Sequence, residues 1–146
     1  MATDALTAPT AGAPLLAVDN VEVVYDRVAL VLKGVSLAVA AGGITALLGG
    51  NGAGKTTTLK AISNLLRAER GEVTRGRITL AGADVARLTP AELVARGVVQ
   101  VMEGRRCFEH LTIEENLLTG AYSRRDGAAA VRADLERVYG YFPRLR

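Results

Sequence analysis

"LLGGNGAGKTTTL", residues 47–59, is the stretch that decides the fold. Gly49, Gly54, Lys55 and Thr56 meet the spacing glycine, four residues, glycine, lysine, hydroxyl residue. That spacing has chemical meaning when a strand precedes it and a helix follows. The sequence predicts both. "ITALL" (44–48) is continuously apolar, the pattern of a strand buried on both faces. "KTTTLKAISNLL" (55–66) places Leu59, Ile62, Leu65 and Leu66 on one helical face. Glycines let successive backbone N–H groups turn toward one anion without Cβ clashes. A helix starting near Lys55 directs the positive end of its dipole to the same spot. The Lys55 ammonium suits the outer phosphates, and the Thr56 hydroxyl suits Mg²⁺, which prefers oxygen ligands. Gly49, Gly54, Lys55 and Thr56 are therefore the candidate binding residues. The loop specifies phosphate as the ligand. It does not choose between a kinase, a GTPase and a transport motor.

Working outward, "LLAVDNVEVVYD" (15–26) alternates in its second half, with Val21, Val23 and Tyr25 on one face, and predicts one or two strands near a sheet edge. "VSLAV" (35–39), "GRITLAG" (76–82) and "VVQVM" (98–102) predict further strands. "LTPAELVARG" (88–97) predicts a short helix capped by Thr89 and Glu92, with Pro90 in its first turn and Gly97 at its end. "LTIEENLLTGAY" (111–122) predicts a helix with a second capping box, Thr112 and Glu115. "AAAVRADLERVYGYF" (128–142) predicts a last helix with Val131, Leu135 and Val138 on one stripe. Strands alternate with helices up to about Met102, and helices then take over, the order of an α/β core followed by a helical lobe. Tyr25 suits two roles on this reading: a platform stacked on a purine face, or a half-buried strand aromatic.

The chain has 146 residues, enough for one domain with a core, and a formal net charge of +3. The basic residues are scattered apart from Arg105-Arg106 and Arg124-Arg125, a solvated surface rather than a nucleic-acid footprint. The single cysteine, Cys107, permits no intrachain disulfide and is expected as a small apolar filler. Residues 34–54 carry no charge, but seven glycines and the break at "AAGG" (40–43) divide them into two strands and a turn rather than a membrane span. Residues 1–14 have no secretory pattern and read as a disordered arm.

"LLGGNGAGKTTTLKAISNLL" resembles the Walker A segment of an ATP-binding cassette (ABC) ATPase. "VMEGRRCFEHLTIEENLLTGAY" (101–122) resembles the Q-loop region of the ATP-binding subunits of branched-chain amino-acid importers, as does the ending "RVYGYFPRLR". The likeness runs from about Leu15 to Arg146. It implies an α/β P-loop NTPase fold of ABC type. Residues 15–104 would form the first part of the nucleotide-binding core, with an incomplete core sheet, and residues 105–146 the start of the helical subdomain. It implies ATP and Mg²⁺ as ligands, with Gly50, Asn51, Gly52, Ala53 and Thr57 joining Gly49, Gly54, Lys55 and Thr56 in the phosphate loop, Tyr25 stacked on adenine, and a Q-loop role for Glu103 in sensing the γ-phosphate and metal. On residues alone Glu103 is a solvated loop carboxylate. The implied partners are a second ATP-binding subunit, arranged head to tail, and transmembrane permease subunits, on the cytoplasmic face of the membrane. Arg105, Arg106 and Phe108 are expected at the docking surface for the membrane partner. Met102, Gly43 and Gly50 depart from the subfamily pattern without removing a phosphate ligand.

The resemblance also implies two motifs that the 146 residues lack: an L-S-G-G-type signature, and a second strand of four apolar residues followed by Asp-Glu. Asp19, Glu103 and the pair Glu114-Glu115 do not supply the latter in the right setting. The expectation is thus an N-terminal fragment, poorly soluble and without hydrolysis on its own. A small stand-alone P-loop kinase or NTPase and a non-catalytic docking module are the rival readings.

Overall fold

The computed structural model describes residues 13–104 and 106–146. Residues 1–12 of the expected arm lie outside the described residues. The chain divides into two compact units, the first ending at Gln100 and the second spanning Val101–Arg146.

The first unit is built on an antiparallel sheet of β1 (Leu16–Tyr25), β2 (Ala29–Val39), β3 (Gly71–Leu80) and β4 (Ala83–Asp84), in the order β2-β1-β3-β4. β1 lies between β2 and β3, one strand in from the edge strand β2, in keeping with the position near a sheet edge that the sequence predicted. It carries a bulge. Register shifts follow Val18 against β2 and Asp19 against β3, and Asn20 takes φ 48°. The extra residue resets the alternation, so Val18 and Val21 are both buried although three apart. Opposite the bulge, Gly76 has φ 83°, and a Cβ there would collide with the carbonyl oxygens of Asp19 and Asn20. Glycine alone fits that approach.

The core joins Val18, Val21 and Val23 of β1, Leu32 of β2, and Ile78 and Leu80 of β3 to one helical face. That face belongs to α1 (Lys55–Ile62), whose buried residues are Thr58, Ala61 and Ile62. Spacings of three and four from Thr58 define one side of a helix. The predicted face is thus corrected. Leu59 points outward, 46% exposed, and Leu65 and Leu66 lie beyond the helix end, Leu66 buried in a 3-10 turn (Leu66–Glu69). α2 (Pro90–Ala95) forms as predicted. The Thr89 backbone N–H donates to Glu92 at 2.7 Å, Glu92 N–H donates to the Thr89 hydroxyl at 3.2 Å, and Leu93 is buried.

Two predicted strands do not form. Residues 44–48 pair with no strand among the described residues, leaving Ile44 100% and Leu48 88% exposed. Residues 98–102 likewise lack a ladder, although Val98 packs on the core and the buried Ser63 hydroxyl bonds the Gln100 side chain. An apolar run becomes a strand only when neighbours take up its N–H and C=O groups. Among the described residues no strand supplies them to either segment; the Val98 N–H instead donates to the Leu93 carbonyl at 2.9 Å, a bond to the end of a helix and not to a ladder.

The second unit holds α3 (Ile113–Thr119) and α4 (Ala128–Tyr141). The predicted capping box is present: the Thr112 N–H donates to Glu115 at 2.7 Å and Glu115 N–H to the Thr112 hydroxyl at 3.2 Å. Val131, Leu135 and Val138 form the predicted stripe on α4 and line a cleft with Leu117 and Leu118. Arg124 bridges Asp126 and Asp134, which holds the Asp126 carboxyl below its usual range and pushes the guanidinium up. Cys107, expected as filler, is exposed. Among the described residues no helix is long and apolar enough to cross a membrane.

Candidate functional site

The glycine loop runs from the exposed segment 44–48 into the first turn of α1. Gly52 and Gly54 have φ 82° and 86°. Gly54 is the residue before the helix, and it lies against β2: a Cβ on it would meet Leu32 Cδ2 at 2.5 Å. The loop closes by an Ala53 N–H donated to the Gly50 carbonyl at 3.2 Å. Thr58 secures the start of α1 by donating both its N–H (2.8 Å) and its hydroxyl (3.0 Å) to the Gly54 carbonyl.

Two features suit this loop to an anion. The Lys55 ammonium folds back on the loop, donating to the carbonyls of Gly49 at 2.6 Å and Gly50 at 2.7 Å. Its positive charge is therefore held at the loop rather than released into solvent. The N–H groups of Gly54, Lys55, Thr56 and Thr57 have no hydrogen-bond partner among the described residues. They are the unsatisfied donors that every helix start presents. The first turn of α1 carries no acidic side chain to neutralise them. Four donors, the helix dipole and one ammonium converge on a loop without a carboxylate of its own, which suits a polyphosphate. Gly50, Asn51, Gly52, Ala53 and Thr56 are exposed, and Gly54, Lys55 and Thr57 half-buried, so the set is open to a ligand. The Thr56 hydroxyl has the chemistry of a Mg²⁺ ligand.

The remaining candidates belong to other segments of the chain. Tyr25 ends β1, half-buried against the core, with its ring on Gly71: a Cβ there would meet the ring at 2.8 Å. Glu103 belongs to the second unit and is exposed, its carbonyl accepting from Arg106 Nε at 3.2 Å. Arg105 lies outside the described residues. Phe108 is 62% exposed, and the Asn116 side chain holds its backbone. Asn116 Oδ1 accepts from the Phe108 N–H at 2.8 Å, while Nδ2 donates to the carbonyls of Phe108 (3.0 Å), Leu111 (3.1 Å) and Thr112 (2.9 Å). The sequence reading missed Leu32 and Asn116. Leu32 sits in an ordinary apolar run, and Asn116 in a stretch already explained by its capping box.

Comparison with known proteins agrees with the loop. Residues 32–143 match the family model described as ABC transporter. The chain is 33% identical over 132 residues to the high-affinity branched-chain amino acid transport ATP-binding protein BraG of Pseudomonas aeruginosa, covering 90% of this chain and 53% of that protein. It is 38% identical over 108 residues to the phosphonates import ATP-binding protein PhnC 2 of Haloarcula marismortui, covering 73% of this chain and 38% of that protein. It also matches the crystal structure of the ADP conformation of an ATP-binding cassette of an ABC transporter. That match has a TM-score of 0.63 and 29% identity over 81% of this chain and 44% of the other. The chain spans about half or less of the length of these relatives. With the glycine loop, the α/β fold and a family match over more than half of its residues, the chain belongs to the ABC transporter family as part of an ATP-binding domain.

Proposed function

We propose that the chain binds MgATP as part of the ATP-binding subunit of an ABC importer, with branched-chain amino acids as the cargo of the whole assembly. The observation that carries the reading is the Lys55 ammonium held at 2.6 Å and 2.7 Å from two loop carbonyls beside the unsatisfied N–H groups of α1. Gly49 to Thr57 hold the phosphates, Thr56 holds the metal, and Tyr25 carries the adenine. Glu103 reports the γ-phosphate and metal to a permease subunit. The bound metal neutralises phosphate charge, while the chain's own donors position and shield the phosphates. The partners in this reading are a second ATP-binding subunit, placed head to tail, and transmembrane permease subunits. That arrangement puts the protein at the cytoplasmic face of the membrane, with no role for nucleic acid. The cargo assignment is supported by the likeness to BraG and by the stretch from Val101 to Tyr122. Likeness to a phosphonate importer subunit makes phosphonate the alternative cargo.

The test is titration with MgATP. Lys55→Ala should weaken binding by about 2–3 kcal/mol, the range for a hydrogen bond to a charged group. Equal affinity in the variant would sink the reading. Growth on leucine or on a phosphonate, in a host lacking the gene, would separate the two cargoes.

A further inference from the structure

Ser63 is buried and closes α1 at the end away from the glycine loop. Its N–H donates to the Leu59 carbonyl at 3.0 Å. Its hydroxyl faces three acceptors: the carbonyls of Leu59 (3.0 Å) and Lys60 (3.4 Å), and Oε1 of Gln100. A hydroxyl has one hydrogen to give. It therefore serves either Gln100 or its own helix, and a small displacement of α1 is enough to tip the choice.

Gln100 stands in a stretch that has no ladder. Val98 packs on the core, whereas Val99 and Val101 are exposed. Gln100 between them is half-buried, and its side chain joins this stretch to the end of α1. An apolar side chain at this position would serve burial as Val98 does. The amide adds a directed bond to one hydroxyl.

α1 carries that bond back to the loop. Its 8 residues make a rod about 12 Å long. Thr58, Ala61 and Ile62 are buried along it, and Thr58 donates its N–H and its hydroxyl to the Gly54 carbonyl. The helix and the end of the loop thus move as one body. Lys55 stands at one end of the rod and Ser63 caps the other.

We propose that Gln100 is a positioning residue for nucleotide binding: through Ser63 it couples the far end of α1 to residues 98–102, the stretch that leads to Glu103. The coupling rests on the nucleotide reading of the glycine loop. Phosphates drawn onto Lys55 and the first N–H groups shift α1, the Ser63 hydroxyl turns to Gln100, and residues 99–102 lose freedom. Coupling is reciprocal, so the same contact raises the affinity for MgATP.

The test joins MgATP titration to backbone nitrogen relaxation at the Val101 amide, on the 146-residue chain. In the wild type, saturating MgATP should raise the Val101 order parameter from the flexible range, below about 0.6, toward the rigid value of about 0.85. Gln100→Leu keeps the bulk and loses the acceptor. It should abolish that rise and weaken MgATP by roughly 2- to 10-fold, the worth of one hydrogen bond. Ser63→Ala should do the same, and the double variant should be no worse than either single, because both remove one contact. Gln100→Glu keeps an oxygen for the hydroxyl and should restore both readouts. A purely structural role would lower the melting temperature without making Val101 respond to nucleotide. MgATP binding with no Val101 response in the wild type, or with the same response in Gln100→Leu, would overturn the proposal and leave the nucleotide reading standing. So would additive losses in the double variant. Absence of MgATP binding by the wild type would sink the nucleotide reading and the coupling with it.

Discussion

Leu32 on β2 and Gly54 at the start of α1 are in such close register that a single Cβ on the glycine would stand 2.5 Å from Leu32 Cδ2. Leu32 is among the most deeply buried residues of the first unit. The sheet core thus sets the position of the glycine loop proposed to bind phosphate. Gly54→Ala meets both this contact and a φ of 86°. Left-handed backbone in a residue with a side chain costs about 1–3 kcal/mol, and the clash adds to it. The variant should melt earlier and lose MgATP affinity together. Adding Leu32→Val should recover part of the melting temperature and little of the affinity, because the φ strain stays. Recovery of full affinity in the double variant would show that Leu32, and not loop conformation, is the limiting factor.

Tyr25 packs on the core and is proposed to carry adenine, two roles that a nucleotide titration alone confuses. Its ring rests on Gly71 and on the core, so Tyr25→Ala removes packing as well as any stacking face. Loss of base stacking is worth about 1–3 kcal/mol. Tyr25→Ala should weaken ATP by that amount and leave inorganic tripolyphosphate unaffected, while Tyr25→Phe should be nearly silent for both. If tripolyphosphate affinity falls equally, Tyr25 acts by supporting the fold and the adenine role is wrong.

How far the sequence was legible depended on whether a signal was local. Both capping boxes were readable because the four residues of each contain their own hydrogen bonds. The loop was readable for the same reason: its glycines, lysine and threonine are neighbours along the chain. The segment 44–48 was misread because its apolar run specifies burial but not the neighbours that provide it. With no ladder partner among the described residues, Ile44 and Leu48 lie open. β1 was read near a sheet edge and lies beside the edge strand β2, but the bulge at Asn20, which resets its alternation, was not legible as such. Leu32's role at Gly54 joins two distant stretches of the chain and leaves no mark on either local pattern.

Acid should loosen both capped helices. The Glu92 carboxyl is lowered by its bond to the Thr89 backbone N–H, and that of Glu115 by its bond to the Thr112 backbone N–H, each helped by the threonine hydroxyl. A carboxyl lowered in the folded state contributes stability that is present above the unfolded value, about 4.3. That contribution is lost as pH falls through the lower folded value. Melting followed by circular dichroism from about pH 6 to about pH 3, a range that brackets the glutamate titration, should show the decline. The Glu92→Gln/Glu115→Gln double variant should be less stable at the upper end of that range and should show a shallower decline. A double variant with an unchanged acid slope would place the titration elsewhere, with Asp126 beside Arg124 the next group to change.

Asn116 is the last test, because its four bonds need both halves of an amide. Oδ1 accepts from the Phe108 N–H, and Nδ2 faces three carbonyls, of Phe108, Leu111 and Thr112. Asn116→Asp keeps the acceptor and turns the donor into a second acceptor against those carbonyls. Asn116→Ala removes both. Losing a solvent-accessible hydrogen bond of this kind costs about 0.5–1.5 kcal/mol. Both variants should therefore release segment 108–112, but they should differ at one atom. Hydrogen exchange at the Phe108 amide should rise by about 2- to 10-fold in Asn116→Ala and less in Asn116→Asp, where an oxygen remains to accept it. Lowering the pH below the carboxylate range should protonate the introduced carboxyl in Asn116→Asp, return one donor, and bring part of the protection back. Phe108 is 62% exposed, so its own side-chain packing does not protect that amide, and the Asn116 bond is the source of any protection observed. Equal exchange in the wild type and in Asn116→Ala would mean that the clamp does not hold in solution and that Phe108 is presented by other means.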